Sequence, residues 1–182
     1  MYLQTQWFGI QYKWKKLEKG KIMYQYISRK EEDTICFASK LASVLQKGDL
    51  IWLSGDLGTG KTKFTQGILR HFDMEDQISS PTFTIVNEYK NEQAEIYHFD
   101  VYRLENEEEF WAIGGEEYFE KGICLIEWGE RIAEILPKPY LKIALNKVEE
   151  DVDERKITVE GFGEIRKEIL DFLEAESENI SD

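Results

Sequence analysis

The chain has 182 residues, 42% of them hydrophobic, and a net charge of −13 at pH 7. That length suits one domain with a full core and leaves no room for a second catalytic domain. The acidic balance excludes a general electrostatic affinity for nucleic acid or anionic membrane. No apolar run approaches the roughly 18 residues of a membrane span, and the N-terminus lacks a signal-peptide core, so a cytoplasmic protein is expected.

Met1 to Ile22 carries Tyr2, Trp7, Tyr12, Trp14 and five lysines without a sustained period. We read residues 1–22 as an extraneous or disordered extension, with a genuine N-terminal arm as the alternative. Met23 directly precedes the strand-like Tyr24-Gln25-Tyr26-Ile27, and Glu18-Lys19-Gly20 fits purine-rich codons of the ribosome-binding type. The domain is therefore expected over residues 23–173. Ser28 with Glu31 three residues on predicts an N-cap and capping box for a helix whose apolar face is Ile35, Ala38, Leu41, Ala42 and Leu45, ending at Gly48.

Next comes the apolar strand Leu50-Ile51-Trp52-Leu53, and directly after it Gly55-Asp56-Leu57-Gly58-Thr59-Gly60-Lys61-Thr62, which satisfies G-x-x-x-x-G-K-[ST] in full. Glycines let the backbone turn its N–H groups onto phosphates, and the following helix adds the positive end of its dipole. In this pattern Lys61 reaches the β- and γ-oxygens and Thr62 places its hydroxyl on Mg²⁺. Phe64, Ile68, Leu69 and Phe72 predict the helix that follows. The side chain of Asp56 is expected to turn outwards, because a carboxylate is repelled by triphosphate.

Ser80-Pro81-Thr82-Phe83 reads as a loop. Thr84 to Lys90 and Ala94 to Phe99, separated by Asn91-Glu92-Gln93, predict a β-hairpin. Ser80, Thr82 and Thr84 stand where a switch segment could sense a γ-phosphate. The acidic segment Glu105 to Glu120 predicts short helices broken at Gly114-Gly115. Ile123 to Ile126 reads as a strand covered on both faces. Beyond Pro137 and Pro139, strands are expected at Tyr140 to Leu145 and Lys156 to Glu160, joined by the charged turn Glu149 to Glu154. A terminal amphipathic helix from Gly163 and an acidic disordered tail over residues 174–182 complete the chain. The fold class is α/β: a single P-loop NTPase domain, its mixed sheet parallel around the loop strand, antiparallel in the hairpin and C-terminal strands, and flanked by helices.

A nucleotide-bound Mg²⁺ needs carboxylates from strand ends. Asp100 closes Ile96-Tyr97-His98-Phe99, and Glu127 closes Ile123-Cys124-Leu125-Ile126. Either could hold the metal or orient a hydrolytic water. Trp128 packs under a loop or lines the nucleotide pocket, and Arg103 and Arg131 are charge stabilisers or solvated surface residues. Asn146-Lys147-Val148-Glu149 resembles the guanine-reading N-K-x-D but ends in Glu, so it reads as a strand end and adenine is favoured. Cys36 and Cys124 are expected as reduced, buried thiols, and His71 and His98 are too few for a zinc site.

The stretches GDLGTGKTKFTQGIL (55–69), SPTFTIVNEY (80–89), IYHFDVYRL (96–104) and ICLIEWGERI (123–132) together resemble the TsaE (YjeE-type) ATPase family of bacteria, over roughly Met23 to Gly163. Thr59 stands where Ala is common. The resemblance implies an ATP- and Mg²⁺-dependent ATPase of low intrinsic activity, in the machinery that installs threonylcarbamoyl on adenosine 37 of tRNA. In that family the transfer belongs to the partners TsaB and TsaD, on which the ATPase docks, so tRNA is engaged only indirectly. The implied site comprises the loop residues 55–62, with Lys61 on phosphates, Thr62 and Glu127 on the metal, Asp100 supporting the metal or hydrolysis, and Trp128 beside the nucleotide. A small-molecule kinase shares the loop, but no arginine-rich lid is visible. A nucleotide-dependent interaction module without essential hydrolysis is the other alternative.

Overall fold

The computed structural model describes residues 15–16, 22–79, 84–149 and 151–178. Among them the chain runs β1 (Lys15–Lys16), β2 (Ile22–Ser28), α1 (Glu31–Ala42), β3 (Leu50–Ser54), α2 (Lys61–His71), β4 (Val86–Lys90), β5 (Glu95–Asp100), α3 (Glu107–Ala112), β6 (Ile123–Glu127), β7 (Tyr140–Val148), β8 (Asp151–Phe162) and α4 (Lys167–Glu178). One mixed sheet takes the order β1-β2-β8-β7-β3-β6-β5-β4. β3 is parallel to both β6 and β7, and β5 is parallel to β6, whereas β4–β5, β7–β8 and β2–β8 are antiparallel. The expected α/β class and mixed sheet are therefore found, with the hairpin at β4–β5.

Strand periodicity divides the central residues between two cores. Ile51 and Leu53 of β3 and Ile123 and Leu125 of β6 face α1, α2 and α4, where Phe37, Leu41, Phe64, Ile68 and Leu173 complete one cluster. Leu50 and Trp52, with Cys124 and Ile126, face the other side, against Phe110, Ile132 and Leu136. Covered on both faces, β6 is buried at all five positions, as its continuous apolar run requires.

Several local expectations are corrected. α1 starts at Glu31 with Lys30 as N-cap, not Ser28; the Ser28 hydroxyl donates to the Lys30 carbonyl and pairs with Thr34 Oγ1, while Asp33 accepts from the Arg29 N–H. Cys36 is exposed, since it falls off the buried stripe of Ile35, Ala38, Leu41 and Ala42, and its thiol donates to Glu32. Cys124 is buried and free, and burial pushes its thiol up to about 12. β7 and β8 run well past their apolar cores, because ladder hydrogen bonds continue into the charged, exposed end of the hairpin and shorten the expected turn.

α4 begins at Lys167 rather than Gly163. Before it, the Arg166 guanidinium makes a two-pronged pair with Asp49 and donates to the Val44 carbonyl. Residues 174–178, expected as tail, continue α4, and Glu176 pairs with Lys40 of α1 at 3.1 Å. Residues 179–182 lie outside the described residues, as do most of residues 1–22. Lys15 and Lys16 nevertheless pair with β2, so the sheet reaches across the boundary expected at Met23.

α1 and α2 touch through Gly67, where an added Cβ would stand 2.4 Å from the Ile35 carbonyl oxygen and 2.6 Å from Ala38 Cβ. Alanine is the better helix former by about 1 kcal/mol, yet the helices must separate to admit it. Gly67→Ala is expected to lower stability by about 1–3 kcal/mol, read as a reduced melting temperature.

Candidate functional site

Parallel pairing brings the C-terminal ends of β3, β5 and β6 to one edge of the sheet. β3 delivers the chain at Ser54 into the glycine-rich loop, and the register pairs Asp100 with Glu127 across β5 and β6. The two acids, twenty-seven positions apart in sequence, thus become lateral neighbours. β7 supplies the floor. A Cβ on Gly55, whose φ is +139°, would stand 2.3 Å from the Leu145 carbonyl oxygen, so only glycine fits where the loop crosses that strand.

Gly58 and Gly60 also have positive φ, and Gly60 is the N-cap of α2. The first turn of α2 contains no acidic residue, whereas α1 opens with Glu31, Glu32 and Asp33 and α3 with Glu107, Glu108 and Glu109. α4 likewise has Glu168 in its first turn, so the carboxylates that stabilise the other three N-termini are absent where a bound anion would compete with them. The Thr59 hydroxyl donates to the Asp56 carbonyl at 2.9 Å, so Thr59 is satisfied inside the loop.

Lys61 is 6% exposed, and its ammonium donates to the carbonyls of Gly55 (2.7 Å) and Asp56 (3.1 Å). It also lies 3.9 Å from Glu127 Oε2 and 4.9 Å from the centroid of the Trp128 ring. The other carboxylate oxygen of Glu127, Oε1, is 3.0 Å from His98 Nε2. Trp128 has φ +62°, a left-handed conformation that turns the chain sharply after β6. Its ring sits 4.9 Å from that of Tyr102, which in turn carries the Arg131 guanidinium at 5.2 Å.

Of the sequence-predicted residues, Lys61, Glu127 and Trp128 are brought into mutual contact. Asp100 is held beside them by the sheet, and its Oδ1 accepts from the Tyr102 N–H. Asp56, Leu57 and Gly58 form the exposed rim, with Leu57 87% exposed. Thr62 is exposed at the start of α2. Arg131 is engaged with Tyr102 and the Leu104 carbonyl, and Arg103 is exposed. Thr84 donates to Asn87, while Ser80 and Thr82 lie outside the described residues.

Two further residues lie near the site. His98 stands in the sequence as one of two scattered histidines, although a polar residue on the same face as Ile96 and Asp100 in a buried strand signals a partner. Lys147 belongs to a strand end, and β7 does end at Val148. Its ammonium nevertheless reaches the loop, 3.8 Å from where a Gly58 Cβ would stand. A cleft of about 730 Å³ lies at the other end of β3, lined by Gln46, Lys47, Leu50, Phe119 and Pro137, and contains none of these residues.

Residues 28–157 match the family model described as "Threonylcarbamoyl adenosine biosynthesis protein TsaE". The chain belongs to the TsaE family. It is 40% identical over 151 residues to the tRNA threonylcarbamoyladenosine biosynthesis protein TsaE of Bacillus subtilis, covering 82% of this chain and 92% of that one. The TsaE protein of Treponema pallidum is 37% identical over 134 residues, covering 73% and 97%. The crystal structure of YdiB from Bacillus subtilis superimposes with a TM-score of 0.70 at 33% identity, covering 85% of this chain and 96% of that one. The TsaE match spans all the site elements from α1 to β7, and leaves β1, β2 apart from Ser28, the end of β8 and α4 outside the family model. Among the described residues no helix is long and apolar enough to cross a membrane.

Proposed function

We propose that this chain is an ATP-binding and ATP-hydrolysing component of the machinery that makes threonylcarbamoyladenosine at tRNA position 37, activated by docking on partners of the TsaB and TsaD type. One observation carries the reading: in a TsaE-family chain, a complete phosphate loop places the Lys61 ammonium 3.9 Å from a strand-end carboxylate, Glu127, on the edge where α/β sheets bind ligands. The loop's N–H groups and the α2 N-terminus hold the phosphates, and Lys61 exchanges its carbonyl partners for β- and γ-oxygens.

The donor set suits Mg²⁺. Among the described residues no group of three or more His, Cys, Asp and Glu is gathered to cage a cation, and Mg²⁺ typically takes one or two carboxylates plus substrate phosphates. Thr62 and Glu127 would hold it, with Asp100 supporting the metal or the attacking water. When bound, the ion would neutralise charge on the phosphate oxygens. Trp128 lies over Lys61 and would shield the site from water on that side.

The net charge of −13 accords with indirect engagement of tRNA through protein partners, and the reading places the protein in the cytoplasm. The test is ATP turnover by the purified chain alone, then with a TsaB–TsaD pair and unmodified tRNA. Slow turnover alone and acceleration of at least tenfold by the partners are expected. Phosphate transfer to a metabolite would favour a kinase, and full tRNA modification without hydrolysis would favour an interaction module.

A further inference from the structure

His98 is a fully buried imidazole that the proposed chemistry does not use. It sits on β5 opposite Leu125, on the same face as Asp100, so it is the diagonal neighbour of Glu127 across the parallel pair. Its Nε2 lies 3.0 Å from Glu127 Oε1, and its Nδ1 is buried without a hydrogen-bond partner among the described residues. A leucine would fill this core position without leaving a polar atom unpaired, so packing alone does not account for histidine.

We propose that His98 is a positioning residue that orients the Glu127 carboxylate for the ATPase reaction; this rests on the function proposed above. An ionised carboxylate only accepts hydrogen bonds, so the neutral imidazole must be the Nε2–H tautomer donating to Oε1. That bond leaves Oε2 turned towards Lys61. Glu127 therefore has a holder on each oxygen. Once Lys61 turns to the phosphates, its hold on Oε2 weakens and the bond from His98 still restrains the side-chain torsions of Glu127. Groups that orient a metal-ligating or catalytic carboxylate in this way typically contribute 10–100-fold to affinity or activity.

Two substitutions separate orientation from packing. In His98→Gln the side-chain amide nitrogen can occupy the place of Nε2 and donate the same bond, whereas His98→Leu fills the space and donates nothing. With the full chain and its partners, His98→Leu is expected to lower kcat by ~10–100-fold while KM for ATP, set mainly by the loop and Lys61, changes less than about threefold. His98→Gln should recover most of the lost kcat. Equal impairment of both folded variants, or a His98→Leu kcat within twofold of wild type, would overturn the proposal.

A second measurement needs no turnover. The chain has only two histidines, and His71 is exposed, so nitrogen-15 NMR of the free protein can resolve the buried ring. An Nε2–H tautomer with a slowly exchanging proton, changed by Glu127→Ala, is expected; an Nδ1–H tautomer would overturn the proposal. If wild type neither binds nor hydrolyses ATP, the functional reading fails, while the tautomer still reports whether His98 holds Glu127.

Discussion

Lys61→Ala is expected to lower affinity for ATP by ~10²-fold or more, because a hydrogen bond to a charged group contributes about 1.5–3 kcal/mol and the lysine spans at least two phosphate oxygens. Glu127 is itself only 6% exposed and would keep His98 as its remaining partner, so some loss of stability should accompany the loss of binding. Arginine should not restore affinity: the Lys61 ammonium is a compact point charge beneath the loop, in a residue only 6% exposed, and a larger planar guanidinium has no room there to reach the phosphates in the same way. Calorimetric titration with Mg·ATP, beside a thermal melt of the same preparation, checks both effects. Wild-type affinity in a folded Lys61→Ala protein would end the phosphate-binding account.

Glu127→Ala should behave differently. Lys61 keeps its two carbonyl contacts, so the loop stays formed and ATP binding should remain within about tenfold of wild type. Turnover, by contrast, should fall ~10²–10³-fold, the scale seen when one preorganised electrostatic group is removed from an active site. Rapid-quench hydrolysis with the partners present, paired with equilibrium ATP binding, separates the two. Unchanged turnover would move the hydrolytic role to Asp100, which the β5–β6 register places alongside.

Lys61 and Glu127 differ in how far the sequence alone reveals their roles. The phosphate loop is legible because its chemistry is local: eight consecutive residues carry the glycine turns, the cation and the hydroxyl, and their neighbours announce a strand before and a helix after. Asp100 and Glu127 could be shortlisted as acids closing apolar runs, but nothing linear says that the strands are adjacent or in what register. His98 looked like an isolated histidine, because its partner is twenty-nine positions away on the next strand. Lys147 looked like the end of a strand, which it is, although that strand lies beneath the loop. Errors at the helix ends have two origins. Ser28 is held by a competing local pair, the Lys30 carbonyl and Thr34, whereas Arg166 is pinned to Asp49 and Lys40 holds Glu176, so the ends of α4 follow tertiary partners rather than nearby signals.

The order of residues by itself determined the α/β class, the place of the phosphate cradle and the short list of acids, because periodicity, glycine spacing and strand-end position act over a few residues. Only the tertiary structure decided that β6 lies between β3 and β5 and in which register, that Glu127 faces both Lys61 and His98, and that β7 supports the loop at Gly55. Those contacts depend on which strands pair and in which register. A shift of one residue would turn Glu127 and His98 to the opposite face of the sheet, and buried apolar side chains on both faces hold the register that prevents it.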